Sequence, residues 1–295
     1  MLKLPSFAKI NWTLRILGKR PDGYHEVFTV LQSISLCDEL TFELREDAEI
    51  SLTCDDPSIP LDDSNLIIKA ARALQAEQGV NVHLTKMIPA KGGLGGASSN
   101  AAVTLLALNH LWRRELGHTD LLRIAGGLGA DVPFFLIGGC AEARGIGTDL
   151  CAVADGPRHQ LVVITPVATV STADAYASLT TSDSASILSS SFAGPVSSDS
   201  GKWPLHNDFE EVIFEIEPEI ERAKVALLDA GVRGALLAGS GSSVFGIFDD
   251  ETARDRALGN LKCENGWRVF PCHTLSRAEY HQAMGPSGFP LFTLS

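Results

Sequence analysis

The stretch PAKGGLGGASSNAA, Pro89 to Ala102, constrains this chain more than any other. It runs from a glycine-rich turn directly into a helix. Gly92, Gly93, Gly95 and Gly96 fill four of five consecutive positions. Each lacks the side chain that would hold a ligand away from the backbone. Ser98 or Ser99 is placed to cap a helix predicted from Asn100 to Leu116. A helix start with free N–H groups and a positive dipole end is an anion site, and phosphate suits it. The alternative is a flexible loop ahead of a core helix, but such a loop needs only one or two glycines. Neither common phosphate fingerprint fits. The GxxxxGK(S/T) spacing is missing, and Gly93-Leu94-Gly95-Gly96-Ala97-Ser98 has Ser where a dinucleotide loop needs its third glycine.

A chain of 295 residues, 45% of them hydrophobic, can bury one large core or two ordinary ones. Its net charge of −12 argues against nucleic acid as a partner. A phosphate site must then be built against the overall field. Lys9, Lys19, Arg20, Lys86, Lys91 and the helix start are the candidates for that local positive charge. The six cysteines form no CxxC pair and no zinc-spaced cluster with histidine. MLKLPSFAK has no apolar core, so no signal peptide is expected, and no apolar run has the length of a membrane span. A cytoplasmic protein with reduced thiols is expected.

Residues 2–18 read as a long strand and 27–54 as two or three more. Asp63-Ser64-Asn65 opens a helix through Gln78, with Leu66, Ala70, Ala73 and Leu74 on its inner face. Val80 to Met87 is a strand feeding the glycine loop. Thr119 to Leu128 is a helix, and Cys140 to Ile146 a strand. A domain break is expected near Asp155-Gly156-Pro157, giving units 1–156 and 157–295. The second unit carries a strand at Leu161 to Thr165, helices at Pro218 to Ala230 and Glu251 to Lys262, and a strand-turn-strand from Leu236 to Phe248. Thr180 to Asp199, rich in Ser and Ala, reads as a surface segment. Strands and helices mix without regular alternation, so the fold class is α+β, not a doubly wound sheet.

Four further constellations could carry chemistry. In FAKINWT, Lys9, Asn11 and Thr13 share one face of a strand and could serve an anion and a hydroxyl, or form a solvent-facing edge. In GKRPDGYHE a turn presents Tyr24 and His25, fit to stack on a base and bond its edge, or to pack a hairpin tip. In GLGADVPFFL a single Asp131 stands among apolar residues, wanting a partner such as Lys9 or serving as an N-cap. In LAGSGSSVFGIF small residues allow a close backbone approach to a ligand, or simply a tight turn.

The order of these motifs resembles that in the galactokinase, homoserine kinase, mevalonate kinase and phosphomevalonate kinase superfamily. The resemblance covers residues 5–248 and rests on PSFAKINWTLRILGKRPDGYHEV, the Pro89 to Ala102 loop, GLGADVPFFL and LAGSGSSVFG. The pair Tyr24-His25 resembles the branch that acts on a cytidine-diphosphate-linked methylerythritol; a homoserine or mevalonate kinase, or a non-catalytic nucleotide-binding module, is the alternative. The resemblance implies an N-terminal domain shared in fold with a ribosomal protein domain and a ferredoxin-like α+β C-terminal domain. The final segment is expected to pack back on the first. It implies ATP and Mg2+, transfer of the γ-phosphoryl to the 2-hydroxyl of that substrate, and a monomer or weak homodimer.

Residue by residue, Asp131 matches the general base and Lys9 its partner. Asn11, Tyr24, His25, Thr172 and Tyr176 match substrate contacts, the two tyrosines sandwiching cytosine and His25 bonding its edge. Asn65, Lys86, Pro89, Gly92, Gly93, Leu94, Gly95, Gly96, Ala97, Ser98 and Ser99 match ATP contacts. No metal ligand follows from the pattern, beyond a touch from Ser98 or Ser99. Lys91 and Ala97 depart from it, standing where the family usually has a small residue and a third glycine. Lys91 is expected to face solvent and to strengthen ATP binding modestly through its field.

Overall fold

The computed structural model describes residues 1–74, 78–179 and 203–285. The Ser-rich segment from Thr180 to Asp199 lies outside them. Two long antiparallel strands dominate: β1 (Leu2–Lys19) and β2 (His25–Leu44), joined by the predicted Pro21-Asp22-Gly23 turn. β3 (Ile50–Cys54) and β4 (Val80–Thr85) extend the sheet at one end of β2, and β5 (Cys140–Arg144) with β6 (Asp149–Ala152) at the other. The short β8 (His206–Asn207) runs parallel to β1 and completes seven strands. A second, four-stranded antiparallel sheet has the order β11 (Arg268–His273), β7 (Gln160–Thr165), β10 (Val244–Phe248), β9 (Gly234–Leu237). Each sheet carries helices on one face. The first takes α1 (Leu66–Ala73), α2 (Gly96–Leu111), α3 (His118–Leu128) and α4 (Val132–Ile137). The second takes α5 (Thr172–Leu179), α6 (Glu210–Ile216), α7 (Pro218–Asp229) and α8 (Glu251–Asn260).

A third core joins the two sheets. Ala8, Ile10, Trp12, Val30 and Ile34 meet Leu161, Val163, Leu236 and Phe245 there. The chain then returns: α9 (Arg277–Ala283) buries Tyr280 and, just beyond it, Met284 in the core of the first sheet.

Several expected elements have different bounds. α2 begins at Gly96, not Asn100, and its N-cap is Gly95 with φ +72. Ser98 and Ser99 sit inside its first turn, so neither is the cap. The helix ends at Leu111 because Arg113 and Glu115 take left-handed backbone, with φ of 50 and 53. Eleven of its sixteen residues are buried, which explains an apolar pattern without one clear face. In α1 the buried face is Ile67, Ile68, Ala70 and Ala71 with Leu74 at the cap, while Leu66 and Ala73 stay partly exposed.

Candidate active site

β1 places the first group. Its register against β2 slips between Asn11 and Thr13, leaving Trp12 unpaired, as in a β-bulge. Trp12 turns into the core between the sheets, edge-on to His159 and Phe245. Lys9 and Asn11 project to the other side. The Lys9 ammonium, only 5% exposed, donates to Asn11 Oδ1 at 2.9 Å and lies 3.6 Å from Asp131 Oδ2. Asn11 Nδ2 donates to Thr29 Oγ1 at 2.7 Å, and Thr29 donates to the Thr13 carbonyl at 2.8 Å. This relay fixes both side chains without water. Thr29 was invisible to motif reading, because only strand register places it there.

Asp131 stands at the N-cap position of α4, but its side chain makes no cap hydrogen bond. Asp131 thus holds the N-cap position without a side-chain cap bond, and its carboxylate pairs with Lys9 instead. Its carboxylate is 38% exposed while Lys9 is sealed behind it. An ion pair with one buried and one accessible partner holds a carboxylate oriented and leaves it able to accept a proton.

The glycine loop lies beside this pair. Leu94 accepts the Lys9 backbone N–H through its carbonyl at 2.9 Å, which ties loop to strand. The glycines make room chiefly for protein. A Cβ on Gly93, whose φ is +73, would stand 1.9 Å from the Ala238 carbonyl. One on Gly95 would stand 2.8 Å from the Phe135 ring and 3.0 Å from Lys9 Cγ. The reading of these glycines as ligand clearance alone is thus corrected. The second glycine turn is the neighbour: Ser242 and Ser243 donate their N–H groups to Lys91 and Gly92 carbonyls. Gly239 of that turn faces the Lys9 ammonium, 3.1 Å from where its Cβ would be. The N–H groups of Gly96, Ala97 and Ser98 precede the first intrahelical bond, from Ser99 to Gly95, and are the unpaired donors of a helix start, a geometry that suits an anion. Ser99 is buried and accepts from Ser6 at 2.8 Å. Pro89 is buried ahead of the loop, and Lys91 is exposed with φ +57.

Two of the ATP candidates have local bonds. Asn65 caps α1, accepting from the Ile67 N–H and donating to the Pro60 carbonyl. Lys86 pairs with Asp38, which is fully buried, at 2.9 Å, and also reaches the Ile88 carbonyl. Asp38 further accepts from the Met87 and Ile88 N–H groups, each at 2.7 Å, and from Asn100 Nδ2 at 3.1 Å. Asp38 therefore pins the chain on both sides of the glycine loop. Arg20 is likewise occupied, by Asp22 and Glu26. Of the positive groups expected to offset the net charge, Arg20 and Lys86 are thus already paired within the protein.

Of the aromatic candidates, His25 and Tyr176 are brought together. Tyr176 stacks on His25 with ring centroids 5.0 Å apart and meets Phe209 edge-on. Burial, and then the Asp131 charge, push the Tyr176 phenol up to about 12. Burial, and then the Lys19 charge, lower His25, so the imidazole is neutral near pH 7. Tyr24 is 62% exposed at the hairpin tip. Thr172, one turn before Tyr176, shares a hydrogen bond with Ser240 of the second glycine turn at 3.0 Å. Among the described residues no group of three metal-ligating side chains occurs.

Comparison with known proteins agrees with this arrangement. Residues 65–139 match the family signature described as GHMP kinases N terminal domain, and residues 198–266 match GHMP kinases C terminal. A 4-diphosphocytidyl-2-C-methyl-D-erythritol kinase of Syntrophus aciditrophicus is 41% identical over 274 residues, covering 92% of this chain and 98% of the relative. One of Prosthecochloris aestuarii is 41% identical over 279 residues, covering 92% and 97%. The crystal structure of a 4-(cytidine 5'-diphospho)-2C-methyl-D-erythritol kinase superposes with a TM-score of 0.75 at 31% identity, over 92% of this chain and 99% of that one. A homoserine kinase of Cytophaga hutchinsonii shares the fold, with a TM-score of 0.65 at 19% identity over 93% and 95%.

Proposed function

This chain belongs to the GHMP kinase family, and we propose that it phosphorylates the 2-hydroxyl of 4-diphosphocytidyl-2-C-methyl-D-erythritol with ATP, releasing the 2-phosphate and ADP in non-mevalonate isoprenoid precursor biosynthesis. The observation that carries the reading is the Lys9–Asp131 pair set between an anion-binding loop and an aromatic cluster. A kinase needs donor phosphate, acceptor hydroxyl and base brought together, because phosphoryl transfer is governed by positioning and charge.

The ATP phosphates lie on the N–H groups at the start of α2, where the helix dipole favours them. Asp131 accepts the proton of the acceptor hydroxyl as the P–O bond forms. Lys9 holds Asp131 in place and steadies the charge that develops beside it. Cytosine stacks on Tyr24 and Tyr176, and neutral His25 bonds its edge. Asn11 and Thr172 contact the remaining substrate. Asn65, Lys86 and the loop from Pro89 to Ser99 surround ATP. The donor set suits magnesium that arrives on ATP and keeps mostly phosphate and water ligands. No three-carboxylate cage is found among the described residues, and Ser98 offers a hydroxyl in the first turn of α2. When bound, the ion neutralises phosphate charge.

The six free thiols support a cytoplasmic setting. No helix among the described residues is long and apolar enough to cross a membrane. The division near residue 156 falls in the irregular stretch 153–159 between β6 and β7.

The test is ADP release measured with the cytidylyl substrate, homoserine and mevalonate side by side. Turnover with the cytidylyl substrate alone is expected. Preferred turnover of either smaller alcohol would overturn the reading.

A further inference from the structure

α4 carries Asp131 at its head, yet it is six residues long and has no side-chain cap there. So short a helix takes its orientation from tertiary contacts, not from its own stability. Its tail is gripped by α9. The Tyr280 hydroxyl donates to the Phe135 carbonyl at 2.7 Å, and His281 meets the Ile137 carbonyl at 2.8 Å. These are carbonyls of the last turn, which have no partner within the helix. Gly138 closes the helix with φ +67, and a Cβ there would stand 2.2 Å from the Tyr280 ring. Tyr280 is fully buried and its ring also packs on Phe7, two residues before Lys9. The ring of Phe135, the residue whose carbonyl Tyr280 holds, crowds Gly95 from one direction as Lys9 Cγ does from another, each within about 3 Å of where a Cβ on Gly95 would stand. One side chain near the C-terminus therefore touches the helix of Asp131 and the strand of Lys9. Through Phe135 it also meets the glycine loop.

We infer that Tyr280 is a positioning residue for phosphoryl transfer, its hydroxyl setting α4 so that Asp131 meets Lys9 and the acceptor hydroxyl in register. The inference rests on Asp131 as the base. Burial raises the Tyr280 phenol, so it stays a donor at every working pH.

Tyr280→Phe removes one oxygen and keeps the ring that fills the core. Turnover is expected to fall about tenfold, the scale of a small misplacement at a reacting centre. The Michaelis constants for both substrates should stay within about twofold, since no binding group is touched. A merely structural tyrosine would lower the melting temperature and leave turnover alone, and that outcome overturns the inference. The same change is then made in Asp131→Asn. If Tyr280 acts through Asp131, its further effect there should shrink to less than about twofold. An undiminished tenfold loss in that background overturns the coupling. Asp131→Asn alone reports separately on the base: wild-type turnover in that single variant would remove the base assignment, whatever Tyr280 does.

Discussion

Lys9 Nζ and Asp131 Oδ2 stand 3.6 Å apart, joining the middle of the first strand to the head of a short helix more than a hundred residues later. The lysine is sealed and the aspartate is partly exposed. The two should therefore fail differently. Asp131→Asn keeps the shape but removes the proton acceptor, and turnover should fall by about 10²-fold or more with both Michaelis constants nearly unchanged. Lys9→Met leaves Asn11 Oδ1 without its donor and Asp131 without its counter-charge. It should cost turnover on a similar scale and also lower the melting temperature, because a buried acceptor loses its partner. Steady-state kinetics and thermal melts on both variants check this. Equal, small effects on turnover would remove the pair from the chemistry.

The aromatic cluster makes a prediction about selectivity. Stacking on an aromatic ring contributes about 1–3 kcal/mol per base. Tyr24→Ala should weaken the cytidylyl substrate by that amount and leave ATP untouched. Tyr176→Ala should do the same and also disturb its neighbours, since its ring packs on His25 and Phe209. Binding isotherms for each substrate separate the cases. Parallel weakening of both substrates would contradict the assignment of Tyr24 to the base.

The motifs were legible because their chemistry is local. Glycines at 93 and 95 with a helix behind them signal a glycine turn feeding a helix start, and a strand with Lys9 and Asn11 two apart signals one polar face. What they touch was not legible. The second glycine turn sits on the first through backbone bonds between Lys91, Gly92, Ser242 and Ser243, a contact between segments about 150 residues apart that no periodicity encodes. The start of α2 was misplaced because a left-handed Gly95 can cap a helix by geometry alone, while sequence reasoning looks for a side-chain oxygen. Asp38 carried no signal at all: an acid beside Glu39 in a strand reads as an exposed position until tertiary structure buries it.

Asp38 now supports a prediction of its own. It is fully buried and accepts from Lys86, two backbone N–H groups and Asn100. Asp38→Ala leaves the Lys86 ammonium, itself only 6% exposed, without its counter-charge. Breaking such a buried pair costs about 3–5 kcal/mol. Lys86→Met should be milder, because Asp38 retains three N–H donors. Denaturant unfolding of the two variants checks the asymmetry; a Lys86→Met loss equal to that of Asp38→Ala would show the backbone bonds to be worth little.

The titratable groups predict how stability varies with pH. Burial lowers His25, His118, His159 and His273 below the ordinary value of 6.5. The unfolded chain then binds more protons than the folded one as pH falls through 6.5, so acidification favours unfolding. Asp56, Asp62, Glu264 and Glu279 are also lowered, each chiefly by hydrogen bonds to the charged form. They act with the same sign below their ordinary values of 3.8 and 4.5. At the alkaline end the buried thiols of Cys140 and Cys272 are pushed up to about 12 from 9.0. The unfolded chain loses those protons first, so stability falls again above 9. The melting temperature should therefore be highest between about pH 7 and 8.5 and decline on both sides. A scan from pH 5 to 10 in one buffer series checks this. A melting temperature that rises from pH 7 down to 5.5 would contradict it. Replacing His159 and His273 with glutamine should flatten the acid side of the curve while leaving the alkaline side in place.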